Sequence, residues 1–434
     1  MDGIIVYKDD DLSFIERLKA RGKQQAGYAA TVREIVSAVK EGGDKALFSY
    51  CRKFDGASVT PENILVTRGE IEAAYREVPK KTVAALKKAA GNILRYNLKI
   101  KPKDVTTGKA GARAGYVIRP VRRAGIYVPG GTAAYPSTVL MCALPAKAAG
   151  VPETVMATPA RAAFGFKVNP LTLIAADISG VQKIYKIGGA QAIAALAYGT
   201  ETVPRADVIA GPGNIYVALA KKEIFGDAGI DSIAGPSEIV VIADKTANPA
   251  YVAADLLSQA EHDELATSIL LTDDAELIKL VCAELEKQIE KLARKEIARA
   301  SLRDNGAAVL CRDLDRAVEL SNLIAPEHLE LCTSYPRGLL PAVINAGAVF
   351  LGHYTPEPVG DYFAGPNHVL PTAGSARFFS ALSAENYVKK ISVIEYDEPH
   401  LAGACKSIAA IAGQEGLDAH INAVKVRIEN KIEN

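Results

Sequence analysis

Net charge is what this sequence has least of: 51 lysines and arginines stand against 50 aspartates and glutamates. That balance leaves no overall field to hold nucleic acid or an anionic membrane, and it points to a small-molecule partner. Cysteine is sparse and scattered. The six (51, 142, 282, 311, 332 and 405) form no CxxC pair and no dense framework, which excludes a disulfide scaffold and suits reduced thiols in the cytoplasm. The start, Met1-Asp2-Gly3, opens no basic region followed by an apolar core, so a secretory signal is not expected. An uninterrupted membrane span is also missing. Ala124 to Ala146 carries no charge over 23 residues, but Pro129, Gly130, Gly131, Pro136 and Pro145 break it, which predicts a buried strand-turn-helix. No stretch spells the GxGxxG dinucleotide fingerprint, and there is no internal repeat or low-complexity segment.

What the chain does have is alternation. Apolar residues make up 49% of its 434 residues, enough for two to four compact units at about 150 residues each. The first 100 residues read as helical, with three- and four-residue apolar spacing over 30–50 and 70–96. From Ile126 onward, short apolar strands alternate with alanine-rich helices. The strands are expected at 154–158, 183–187, 207–210, 239–242, 268–271, 308–310 and 348–351, with a last candidate at 391–396. Asn169-Pro170 and Asn248-Pro249 read as helix N-caps followed by first-turn prolines. This pattern predicts a doubly wound, mainly parallel α/β architecture in two units.

In such sheets ligands are expected beyond the carboxyl ends of the strands. Glycine-rich turns at 128–131, 187–191 and 210–214 each join a strand to a helix, and Ala234-Gly235-Pro236-Ser237 precedes a strand. They could bring backbone N–H groups up to an anion, or they could simply be tight turns.

Only six histidines occur: 262, 328, 353, 368, 400 and 420. Gln259 and His262 sit three apart at the edge of a helical face, where amide oxygen and imidazole could share a cation; a histidine satisfied by a neighbour such as Asp263 is the plainer reading. Glu327-His328 joins a carboxylate to an imidazole that titrates near neutrality, suited to acid–base work, or else it is a surface pair after a helix. The run from Gly360 to His368 reads as a shaped loop holding Asp361 and His368, and Glu415 to His420 offers a further carboxylate and imidazole. Spacing alone does not join positions 262, 361 and 420.

Together the segments YVPGGTAAYPSTVLM, KIGGAQAIAALAYGTETVP, GPGNIYVALAK, AGPSEIVVIAD, DLLSQAEHDELA, APEHLEL, GDYFAGPNHVLPT and EGLDAH resemble the histidinol dehydrogenase family, in order and across nearly the whole chain. The resemblance implies two incomplete Rossmann-like, doubly wound parallel-sheet domains with small helical extensions at both ends. It divides the chain into an N-terminal helical extension (1–25), a zinc-binding catalytic domain (26–126 with 238–382), an NAD-binding domain (127–237) and a C-terminal extension (383–434) that reaches the partner's site. It implies zinc ligands at Gln259, His262, Asp361 and His420, and an acid–base pair at Glu327 and His328. Substrate contacts fall on Ser237, His328, His368 and Glu415 as well as on the metal-site residues, and NAD contacts on Tyr127, Gln191 and Asn214. The implied reaction is the four-electron oxidation of L-histidinol to L-histidine through an enzyme-held aldehyde, reducing two NAD+, in a cytoplasmic homodimer with intertwined chains and shared sites. A relative acting on another polar primary alcohol is the alternative. A thiol-dependent aldehyde dehydrogenase would need an activated cysteine, and Cys142 and Cys332 both lie in apolar runs that read as packing.

Overall fold

The computed structural model describes residues 4–20, 26–56, 58–130, 135–160 and 165–429. Two compact units emerge: residues 1–101 with 121–387, and residues 102–120 with 388–434.

The first unit opens with strand β1 (Ile5–Lys8) and helices α1 (Ser13–Ala20), α2 (Ala26–Asp55), α3 (Arg68–Glu77) and α4 (Lys80–Ile100). The chain then runs through β2 (Val105–Lys109) and β3 (Ala112–Pro120) of the second unit. On returning it alternates regularly: β4 (Arg123–Tyr127), α5 (Pro136–Ala149), β5 (Glu153–Ala157), α6 (Pro170–Ser179), β6 (Lys183–Tyr185), α7 (Gly189–Tyr198), β7 (Val208–Ala210), α8 (Ile215–Ile224) and β8 (Gly229–Ile230). There follow β9 (Glu238–Ala243), α9 (Pro249–Ala260), β10 (Thr267–Thr272), α10 (Ala275–Ile289), α11 (Lys295–Asn305), β11 (Ala307–Leu310) and α12 (Leu314–Ile324). The unit closes with β12 (His328–Cys332), α13 (Pro336–Leu339), β13 (Ala348–Leu351) and the one-turn α14 (Glu357–Val359). The second unit resumes with β14 (Val388–Tyr396), α15 (Glu398–Gln414) and α16 (Asp418–Glu429).

Two parallel sheets organise the first unit, in the orders β1-β11-β10-β9-β12-β13 and β6-β5-β4-β7-β8. Their strands are continuous apolar runs because helices cover both faces. Along β9 the two-residue period sends Ile239, Val241 and Ala243 into one core with α9 and α10, and Val240 and Ile242 into the opposite core with α1 and α12. Over the five-stranded sheet, Val32, Ile35, Val36 and Val39 of α2 pack against Ile193, Leu196 and Val217. The predicted caps form: the Asn169 and Asn248 side chains accept from the N–H groups of Leu171 and Ala250 at 2.9 Å each. The charge-free run holds β4 and the 14-residue α5, with residues 131–134 outside the described residues, and no helix among the described residues is long and apolar enough to cross a membrane.

Some elements depart from the sequence reading. Ile5–Lys8, in a stretch expected to be helical, adds in parallel to β11 as an edge strand, because its alternating backbone groups complete the sheet. The strand expected at 391–396 does form in the C-terminal stretch, starting three residues earlier, as β14 (Val388–Tyr396). In the second unit β14 pairs antiparallel with β3 from Val388↔Pro120 to Tyr396↔Ala112, and β2 pairs with β3 on its other side. β2 is Val-Thr-Thr-Gly-Lys, too polar and exposed to show a core period. α15 begins where Asp397 accepts from the N–H of His400 at 3.0 Å and bonds its ring as well.

Candidate active site

His328 is the first residue of β12, beside Ile239 of β9 in register, so the chain places it at the amino edge of the six-stranded sheet. That edge was not the one expected; ligand-binding groups in doubly wound sheets ordinarily lie past the carboxyl ends. Nor is Glu327-His328 a surface pair after a helix. Both residues are buried, at 6% and 4% exposure, because strand pairing draws the segment into the sheet.

One neighbouring residue holds both. The Glu238 N–H donates to Glu327 Oε2 (3.0 Å), and the Glu238 carbonyl lies 3.1 Å from His328 Nδ1. A carbonyl only accepts, so Nδ1 carries the proton and Nε2 is left as a basic nitrogen. Nε2 is buried with no hydrogen-bond partner. It faces Glu357 Oε1 at 3.8 Å and Asp361 Oδ1 at 3.9 Å, and Glu327 Oε2 lies 3.7 Å from Nδ1. Adjacent residues would be expected to diverge; here the shared anchor on Glu238 brings Glu327 back to the ring.

Asp361 belongs to a wide turn, Gly360–Ala364, that follows α14 directly. His328, Glu357 and Asp361 present ligand atoms that all lie within 4.8 Å of one another. Burial, then the charge of Glu357, pushes the Asp361 carboxyl up to about 7, and burial pushes Glu357 up to about 7 as well. Glu327 is raised well above the usual carboxylate range and the His328 imidazole is lowered, both mainly by burial. An acceptor nitrogen facing two crowded carboxyls is a site short of positive charge. It fits a divalent cation, an ammonium group or a hydroxyl donor.

Gln259 is fully buried in the last turn of α9, and its amide nitrogen donates to both Glu357 oxygens at 3.1 Å. His262 lies just past the helix end, where its N–H closes a turn on the Gln259 carbonyl (3.1 Å), and it is exposed. The pair therefore flanks a helix terminus rather than sharing one helical face. His368 packs against the same group, with Nδ1 3.9 Å from Asp361 Oδ2 and Nε2 3.3 Å from the Thr138 hydroxyl in the first turn of α5. Burial lowers its pKa to about 4, so it is a neutral hydrogen-bonding ring. Ser237 immediately precedes Glu238 and is partly buried. Glu415, at the end of α15, and His420, in α16, belong to the second unit, where both are exposed. The other two histidines have local partners: His353 meets Thr246 and His400 meets Asp397.

The glycine turns follow the carboxyl ends of β4, β6 and β7, as expected for that sheet. A Cβ on Gly130 or Gly188 would come within 2.4 or 2.6 Å of Pro159, so glycine there lets two turns close on one proline ring. Gly131 lies outside the described residues. Tyr127 ends β4 and its hydroxyl accepts from the Gly189 N–H (3.1 Å). Gln191, in the first turn of α7, donates to Asp55 (3.4 Å), and Asn214 caps α8 by accepting from Tyr216 and Val217.

Sequence reasoning missed Glu357, Glu238 and Thr138. Glu357 stands between Pro356 and Pro358, where no helical or strand period marks it, and the other two act through backbone or hydroxyl contacts that carry no motif. Cys142 and Cys332 are buried with their thiols pushed up by desolvation, so neither is activated.

A family model described as histidinol dehydrogenase matches residues 18–428. The histidinol dehydrogenase of Clostridium acetobutylicum is 52% identical over 433 residues, covering 99% of this chain and 100% of its own. That of Bacillus anthracis is 53% identical over 399 residues, covering 92% of each. A crystal structure of histidinol dehydrogenase from Elizabethkingia anophelis superposes with a TM-score of 0.89 at 39% identity, covering 93% of this chain and 92% of that one.

Proposed function

Because this chain belongs to the histidinol dehydrogenase family, we propose that it oxidises L-histidinol to L-histidine through an enzyme-held aldehyde, reducing two NAD+. The observation that carries this reading is the double grip of Glu238 on Glu327 and His328, which leaves His328 Nε2 bare inside an acidic pocket.

The groups the structure crowds together, one imidazole (His328) and two carboxyls (Glu357 and Asp361) without a counter-charge, fit a divalent cation such as zinc. Gln259, His262, Asp361 and His420 would hold it. When bound, zinc supplies positive charge that fixes the substrate's imidazole and amine, chiefly a positioning role. Tyr127, Gln191 and Asn214 would hold NAD+, which would supply the hydride acceptor in each half of the reaction.

His328 Nε2 removes the alcohol proton, and the carboxylates of Glu357 and Asp361 stabilise the imidazolium this creates. Glu327, its pKa raised by burial, takes a proton from the water that hydrates the aldehyde. Once its first proton has passed to solvent, His328 acts as base again and takes a proton from the hydrated aldehyde as the second hydride leaves. Ser237 and His368 offer hydrogen bonds to the substrate, and Glu415 offers charge to its ammonium group. We infer further that the protein works as a homodimer in which the second unit of one chain completes its partner's site. Exposed apolar side chains stand on both faces of β14, Ile391 and Val393 on one and Ile394 and Tyr396 on the other, which supports a covering partner. Six cysteines without a single disulfide suit the cytoplasm.

The test is a zinc-replete assay with L-histidinol, counting NADH against histidine. Two NADH per histidine supports the reading; inertness to histidinol with turnover of another polar primary alcohol moves the substrate. Replacing His328 with Asn should lower turnover by about 10²- to 10⁴-fold while zinc stays bound. Near-normal turnover would remove His328 from the chemistry.

A further inference from the structure

A second buried cluster lies one hydrogen bond from Glu357 and takes no part in the chemistry above. Asp255 comes from α9, Glu330 and Cys332 from β12, and their oxygen and sulfur atoms all lie within 4.8 Å of one another. All three side chains are buried. The Cys332 thiol donates to Glu330 Oε2 at 3.9 Å. Glu330 Oε1 accepts from the backbone N–H of Glu357 at 2.8 Å.

The strand period explains the alignment. His328 and Glu330 are two apart on β12, so their side chains leave the same face. His328 meets the Glu357 side chain while Glu330 grips the Glu357 backbone. Glu357 is the first residue of α14, the turn that delivers Asp361 four positions later. Buried carboxyls are costly, and apolar residues of like volume would pack here more stably. Their retention at the head of one functional segment asks for a reason beyond stability.

We propose that Glu330, backed by Asp255, is a positioning residue that pins the start of segment 357–361 and so keeps Glu357 and Asp361 facing His328 Nε2. The proposal rests on the zinc and histidinol reading given above. Burial raises Glu330 well above the usual carboxylate range and Asp255 to about 6, and the two share a hydrogen bond. Glu330 accepts from the Glu357 N–H with one oxygen, and its hydrogen bond to Asp255 needs one proton shared between the two carboxyls. Length matters to that role and charge does not.

Two substitutions separate length from charge. Glu330→Gln keeps an acceptor for the Glu357 N–H and a donor for Asp255. Glu330→Asp keeps the carboxyl but draws it back by one methylene. Zinc affinity of the stripped full-length protein, measured by chelator competition, should match wild type in Glu330→Gln and weaken about tenfold in Glu330→Asp. KM for histidinol should rise in the Asp variant with KM for NAD+ unchanged, a split that general destabilisation would not produce. Wild-type affinity in Glu330→Asp overturns the proposal, and so does weakened affinity in Glu330→Gln. A wild-type protein that neither binds zinc nor oxidises histidinol would instead remove the reading beneath it.

Discussion

A carboxyl whose pKa is raised in the folded chain holds a proton that the unfolded chain has released, and Asp55 is such a group away from the acidic pocket. Burial lifts it from 3.8 to about 6, while the Gln191 amide pulls the other way. Between those values the folded protein binds more protons, so the stability Asp55 contributes is complete below about 3.8 and is lost as pH climbs through 6. Asp55→Asn removes that dependence. Its unfolding free energy, from denaturant titration, should gain on wild type as pH goes from 5 to 8, by an amount on the order of 1 kcal/mol once screening at this partly buried site is allowed for. A difference that does not change with pH would show that Asp55 is not the titrating group. At this scale much was legible in residue types: Glu327, His328, Asp361 and His368 stand out as titratable groups in unusual company, and the fold brings them together. Glu238 was not legible, because it acts on the pair through its backbone, and any side chain would leave that N–H and carbonyl in place.

Among elements, the turn after β7 is the most constrained. Gly211 has φ of 122°, and a Cβ there would lie 2.1 Å from the Tyr127 carbonyl oxygen. Both of its polar groups are held by a buried ion pair: Asp231 accepts from the Gly211 N–H (2.7 Å), and Lys221 donates to its carbonyl (3.1 Å) while bonding Asp231. Gly211→Ala must break that arrangement, at a cost of about 3 kcal/mol from backbone strain and overlap. The expected result is a thermal midpoint lower by about 3 °C, with weaker NAD+ binding by calorimetry because Asn214, a proposed NAD+ contact, follows three residues later. An unchanged midpoint would contradict the strain argument. The sequence shows a glycine turn here but not its reason, since Asp231 and Lys221 reach it from the far ends of separate elements. The same holds for β12. APEHLEL looks amphipathic at best when read alone; pairing with β9 and β13 makes it a central strand, and the helices on either side of the sheet then bury both of its faces.

For the whole molecule, alternation predicted the parallel α/β layers well, because strands sandwiched between helices must be apolar along their length. It could not show that the proposed catalytic groups sit at the amino edge of one sheet and the glycine turns at the carboxyl edge of the other, since edges depend on which strands become neighbours. Nor does a single chain's pattern say whose second unit serves whose site. That question has a direct test in mixed protomers. His328→Asn disables the first-unit base, and His420→Ala removes a proposed ligand on the second unit. If each site combines the first unit of one chain with the second unit of its partner, a mixed dimer carries both lesions in one site and leaves the other intact. Co-refolding equal amounts makes half of the dimers mixed, so activity should return to about a quarter of wild type from two nearly inactive parents. If each chain completes its own site, every site in the mixture carries one lesion and nothing returns. Recovery near a quarter, with a mass in sedimentation matching two chains, establishes the shared site; no recovery in a confirmed dimer assigns Glu415 and His420 to their own chain.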